Sequence, residues 1–138
     1  HRDLHLSIRR QRQMCIRDRY KELDHFPIIF ISSTTRQRIN KVLETAWSVY
    51  ERSKNSIPTN KLNSLVEKAM NENPPPAEKG KVIKINYCVQ VHKQPVVIAL
   101  FANYPKLIKV SYQRFLLNQI RLNFDLKGLP IRLSFRKK

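Results

Sequence analysis

Residues 81–102 read KVIKINYCVQVHKQPVVIALFA, two apolar stretches joined by His92-Lys93-Gln94-Pro95. In the first, Ile83, Ile85, Tyr87, Val89 and Val91 alternate with Val82, Lys84, Asn86, Cys88 and Gln90. That is the two-residue period of a strand with one face in a core and a polar face outside. The second stretch, residues 96–102, is apolar throughout, as a central strand requires. Asn103-Tyr104-Pro105 ends it, and residues 106–109 predict a short helical turn. From Ser111 onward Tyr112, Phe115, Leu116, Ile120 and Phe124 recur at helical spacing, with Arg114, Asn118 and Arg121 on another face. After a turn over residues 125–130, Ile131, Leu133 and Phe135 alternate with Arg132, Ser134 and Arg136 in a last strand.

Upstream of this unit, Pro58-Thr59-Asn60 opens a helix that carries Leu62, Leu65, Val66, Ala69 and Met70. Pro74-Pro75-Pro76 stops it, because proline lacks the N–H that a helix needs. The order helix, strand, strand, short helix, helix, strand predicts an α+β fold, a three-stranded sheet with its helices on one face. The other face is expected to be open and positive, displaying Lys84, Asn86, Gln90, Arg132, Ser134 and Arg136.

The first 55 residues read differently. Phe26-Pro27-Ile28-Ile29-Phe30-Ile31 is apolar and β-branched, which predicts a strand buried on both faces. A helix follows from Gln37, with Ile39, Val42, Leu43, Ala46, Trp47 and Tyr50 on one side, and residues 52–56 break its period as a linker. A doubly buried strand needs neighbours, and none precedes it, so the chain is expected to have lost its true beginning. Residues 1–19 show neither a helical nor a strand period and are expected to be disordered. The stretch RRQRQMCIRDR resembles adapter read-through at the edge of a gene fragment, which would start the natural sequence near Tyr20.

Composition narrows the chemistry. The 138 residues carry 27 Lys+Arg against 10 Asp+Glu, a formal charge of +17. Residues 79–138 alone hold 13 basic side chains and one acidic one. A field of one sign attracts polyanions, so this half predicts a binding surface for nucleic acid or an anionic membrane rather than a merely solvated face. Of the two, nucleic acid is the expected partner and a membrane is not. Gly80 and Gly128 are the only glycines, which excludes GxxxxGK[ST] and GxGxxG phosphate loops. Asp125-Leu126-Lys127-Gly128 and Asn60-Lys61-Leu62-Asn63 mimic the DxxG and NKxD nucleotide motifs; the first lacks a phosphate loop, and the second has Asn63 where a carboxylate is required. Cys15 and Cys88 have no partners at metal-ligand spacing, and no catalytic constellation is visible, which suits a reduced, cytoplasmic setting.

The motifs in series resemble one known family. Ile28-Ile29-Phe30-Ile31-Ser32-Ser33, Ile57-Pro58-Thr59, Asn73-Pro74-Pro75-Pro76 with Gly80-Lys81, Ser111-Tyr112-Gln113-Arg114-Phe115-Leu116 and Gly128-Leu129-Pro130-Ile131-Arg132 occur in the order of the C-terminal end of the Der (EngA) tandem GTPases. The resemblance covers residues 20–138. It implies that residues 20–55 are the last strand and helix of a second P-loop GTPase domain, and residues 56–138 a KH-like domain. It further implies GTP with magnesium as cofactors of the whole protein, with Ser32 and Ser33 at the guanine-contacting position, and no activity for this stretch alone.

Action in assembly of the large (50S) ribosomal subunit is also implied, with rRNA and the GTPase domains of the same chain as partners. The GXXG clamp of RNA-binding KH domains is replaced by Ile108-Lys109-Val110-Ser111. Contact with rRNA is therefore expected through charge, from Lys84, Arg114, Arg121, Arg132, Arg136, Lys137 and Lys138. The alternatives are a free-standing basic RNA-binding module and, on charge alone, a small nuclease.

Overall fold

The computed structural model describes residues 2–19 and 23–138. They divide into two compact units, His1–Tyr50 and Glu51–Lys138.

In the first unit, α1 (Arg2–Arg19) is an 18-residue helix. The expected disorder is corrected here. Arg, Gln, Leu and Met are good helix formers, no Gly or Pro interrupts them, and propensity builds a helix even where no apolar stripe exists. The expected strand at residues 26–31 is also absent: this segment is irregular, and Ile31 is exposed. A strand is held by lateral hydrogen bonds, and among the described residues the one ladder contact here is a single bridge between Ser32 and Gln37. The helix that follows forms as expected, as α2 (Ile39–Lys54), and none of its residues is buried.

The second unit has the predicted order. α3 (Thr59–Glu72) is followed by β1 (Ile85–His92), β2 (Val96–Ala102), a 3-10 turn (Pro105–Leu107), α4 (Val110–Asn123) and β3 (Ile131–Lys137). β2 is the central strand, antiparallel to β1 and parallel to β3. The two helices lie on one sheet face. Leu62, Val66 and Ala69 of α3 and Tyr112, Leu116 and Ile120 of α4 are buried with Val96, Ile98, Leu100 and Ala102 of β2. The Tyr112 hydroxyl donates to Asn73 O at 2.9 Å, fastening α4 to the end of α3.

Both glycines serve turns that demand a positive φ. Lys79 and Gly80 (φ 52° and 70°) turn the chain between Glu78 and Lys81, whose backbones exchange two hydrogen bonds. Gly128 (φ 83°) lies in the turn closed by the Leu129 N–H on Leu126 O. Only glycine takes such angles without strain.

The simple alternation expected for β1 is broken at Asn86. Ile85 pairs with Ala102, but Tyr87 pairs with Phe101, so two residues of β1 answer one of β2, a β-bulge. The inward phase changes there. Ile83 and Ile85 are buried, and the next buried residue is Cys88, 1% exposed, whereas Tyr87 is 47% exposed. Gln90, expected on the open face, instead accepts the Ile57 N–H through Oε1 at 2.7 Å.

Cys88 is held from outside the sheet. The Asn63 side chain accepts the Cys88 N–H at 2.9 Å and donates to Cys88 O at 2.8 Å, pairing with the strand edge as another strand would. Replacing the amide leaves two backbone groups unmade. Asn63→Ala is expected to lower the unfolding free energy by about 2–6 kcal/mol, at ~1–3 for each such group, as read by equilibrium urea unfolding. An unchanged midpoint would show that water takes the place of the amide.

Burial pushes the Cys88 thiol up from 9.0 to about 12. The folded form thus holds its proton where the unfolded form loses it. Stability from this source is present below pH 9 and is lost as pH rises toward 12. Thiol titration at pH 8 should modify exposed Cys15 at once and Cys88 only on addition of denaturant. Rapid modification of both in the native protein would contradict the packing.

Candidate nucleic-acid interface

The sheet face opposite the helices is built by register. Tyr87 of β1, Phe101 of β2 and Arg136 of β3 form one cross-strand row; Val89, Ala99 and Ser134 form the next; Val97 and Arg132 follow. Arg132 and Arg136 are exposed, and Arg136 Nε donates to Ser134 Oγ at 3.4 Å. The Tyr87 and Phe101 rings lie side by side with centroids 6.2 Å apart and planes 35° from parallel. β1, β2 and β3 contain no acidic residue.

Two carboxylates of this unit are engaged by its own cations. Asp125, the one acid among residues 79–138, accepts from Arg52 Nε at 3.0 Å. Glu78 pairs with Lys109 at 3.0 Å. The Lys81 ammonium lies 4.8 Å from the centre of the Tyr104 ring. Arg52, Lys81 and Lys109 are thus partly committed to the protein itself, while the charge of β3 is not neutralised from within its own sheet.

The residues expected to meet phosphate do not share one surface. Arg132 and Arg136 lie on the open face, and Lys137 and Lys138 are exposed at the end of β3, where the Lys138 N–H bonds Ala102 O at 3.3 Å. Lys84 is exposed just before β1 and lines a groove of about 500 Å³ between α3 and the outer edge of that strand. Arg114 is exposed on α4, in the helix layer. Arg121 is half-buried: Nη1 donates to Leu129 O at 3.4 Å, and Nε is buried without a hydrogen-bond partner among the described residues. Burial lowers its pKa from the ordinary arginine value. Its geometry suits bracing the 125–130 turn better than reaching a phosphate.

Two residues of the open face, Tyr87 and Phe101, are absent from that expected set. Strict alternation sends Tyr87 into the core, and the bulge that turns it outward has no signature in the sequence beyond the unbranched Asn86.

The nucleotide expectation has less to stand on. Ser32 donates its N–H to Gln37 O at 3.3 Å and accepts the Thr35 N–H on Oγ at 3.3 Å, within a turn that also holds exposed Ser33. Asn60 and Lys61 lie in the first turn of α3, and residues 125–128 make the turn that leads to β3. With no phosphate loop in the chain, the residues present do not make up a guanine-nucleotide site. Among the described residues no three His, Cys, Asp or Glu side chains converge, and no helix is long and apolar enough to cross a membrane.

Comparison with known proteins agrees with the fold. Residues 56–136 match the family described as KH-domain-like of EngA bacterial GTPase enzymes, C-terminal. The chain is 46% identical over 123 residues to GTPase Der of Porphyromonas gingivalis, covering 89% of this chain. To GTPase Der of Caldanaerobacter subterraneus it is 45% identical over 123 residues, and to that of Phocaeicola vulgatus 46% over 124, again with 89% of this chain covered. The chain spans about 28% of the length of each of these relatives. A three-stranded mixed sheet with α3 and α4 on one face, the proline-stopped first helix and the match over residues 56–136 together show that the chain belongs to the family of C-terminal KH-like domains of EngA (Der) GTPases.

Proposed function

We propose that residues 56–138 form the rRNA-docking part of a GTPase that acts in the cytoplasm in assembly of the large ribosomal subunit. Residues 20–55 are then the end of its second GTPase domain. The whole protein would bind and hydrolyse GTP, with magnesium, through loops encoded upstream, and the KH-like domain would also pack on the GTPase domains of the same chain.

The observation that carries this reading is the open sheet face: arginines at two register positions of β3, no acid on any strand and neither α3 nor α4 over it. Polyanion binding by such a surface gains mainly from release of counterions, which makes affinity fall steeply with salt. The absence of a GXXG loop leaves the electrostatic route as the main one. The state of α2 supports the GTPase assignment of the preceding segment. Leu43 is 67% exposed and Trp47 64% exposed, an apolar side that the rest of a GTPase domain would cover.

Binding of the 138-residue chain to large-subunit rRNA, measured by fluorescence anisotropy from 50 to 200 mM KCl, is expected to weaken steadily with salt. Replacing Arg132 and Arg136 together by glutamine should reduce the slope of log K against log salt by about 2, roughly 1 for each phosphate that is no longer neutralised. Arg121→Gln should instead lower thermal stability and leave that slope unchanged. Affinity independent of salt would overturn the reading.

Phosphate release from GTP by this chain is expected to stay at the buffer rate. Hydrolysis above it would show a nucleotide site that these residues do not reveal.

A further inference from the structure

Charge alone makes no distinction between a duplex and an unpaired strand, but the open face offers more than charge. The bulge at Asn86 places Tyr87 beside Phe101, with Arg136 next along the same cross-strand row. Tyr87 is 47% exposed and Phe101 half-buried, so one ring projects from the sheet and the other forms part of its floor. Val89 and Val97, both half-buried, extend an apolar surface around them, with Ala99 fully buried beneath it, and Arg132 and Arg136 border it on β3. None of the three strands that build the face carries a carboxylate that would repel a phosphate.

Aromatic rings on a flat support, flanked by cations, are what an unpaired nucleotide needs. Its base stacks on a ring, and its phosphate meets a guanidinium. A duplex keeps its base faces covered and gains only from the cations.

We propose that the open face of the sheet is a stacking platform for single-stranded RNA, in which Tyr87 and Phe101 receive two neighbouring unpaired bases and Arg132 and Arg136 meet the flanking phosphates. This deepens the rRNA reading above and rests on it: that reading requires only a polyanion, whereas this one specifies an unpaired segment.

The test compares a labelled 12-nucleotide single-stranded RNA with a duplex of the same sequence, both bound to the full chain. Tyr87→Ala is expected to weaken single-strand binding about 10-fold or more, within the range for loss of one stacked base, with the salt slope and duplex affinity unchanged. Tyr87→Phe keeps a ring and should bind as the parent does. Phe101→Leu, which keeps the apolar floor without an aromatic face, should weaken single-strand binding alone. Circular dichroism melts establish that each variant is folded.

If Tyr87→Ala and Phe101→Leu leave single-strand affinity intact while salt-dependent binding persists, the platform is wrong and the electrostatic reading stands. Equal losses on single strand and duplex would likewise overturn the platform. If the parent chain binds neither RNA at 50 mM salt, the reading beneath it fails as well, and the face is one that packs against protein.

Discussion

A strand in the middle of a sheet must find hydrogen-bond partners along both edges, and in this domain that demand falls on β2. Its side chains on the helix face are almost wholly out of water: Val96, Ile98 and Leu100 are 2% exposed or less. Each contributes roughly 1.5–3 kcal/mol on burial, which fixes β2 at the centre. β1 reaches it through a short turn, so that pair is antiparallel. β3 runs parallel to it, and a parallel neighbour can be reached only by crossing over the sheet. The 3-10 turn and α4 are that crossing. α3 fills the remaining space on the same side, and the other side stays open.

What the open side presents then follows from one irregularity. Without the bulge, strict alternation would carry Tyr87 toward the helices and Cys88 toward water. With it, a small thiol packs in the core and an aromatic ring faces solvent, next to Phe101. The field over that face is of one sign because Asp125 is engaged by Arg52 and the strands carry no acid. Such a field reaches only about 10 Å at 0.1 M salt. In the proposed encounter with RNA, long-range attraction and short-range stacking would therefore act at different stages, the first gathering the strand and the second holding it.

The sequence was most legible where local and long-range preferences agree. The apolar stripes of α3 and α4, the proline stop and the uniformly apolar β2 each have one good solution, and the structure adopts it. Residues 26–31 satisfy the pattern of a buried strand yet are irregular, because pattern states a preference and lateral partners are what meet it. α1 went unread for the opposite reason: propensity sufficed where periodicity was missing. Among the candidate phosphate-binding residues, spacing placed Arg121 on the same helix face as Arg114, but spacing gives direction around a helix and not depth. The loop over residues 125–130 covers one and leaves the other in water. Tyr87 was hidden by the bulge, a feature of strand pairing rather than of any residue.

The grip of Asn63 on Cys88 has a consequence for the company this domain keeps. β1 is the outer strand of a small sheet, and an outer strand with free N–H and C=O groups is a template on which a second chain can add itself. The Asn63 amide occupies that edge at its middle and ends the ladder with a side chain. The opposite edge is guarded differently: β3 carries Arg132, Arg136 and Lys137, and a like strand approaching it would bring the same charges. One edge is sealed by a hydrogen-bonded stopper and the other is guarded by repulsion, so neither edge of the three-stranded sheet invites a fourth strand.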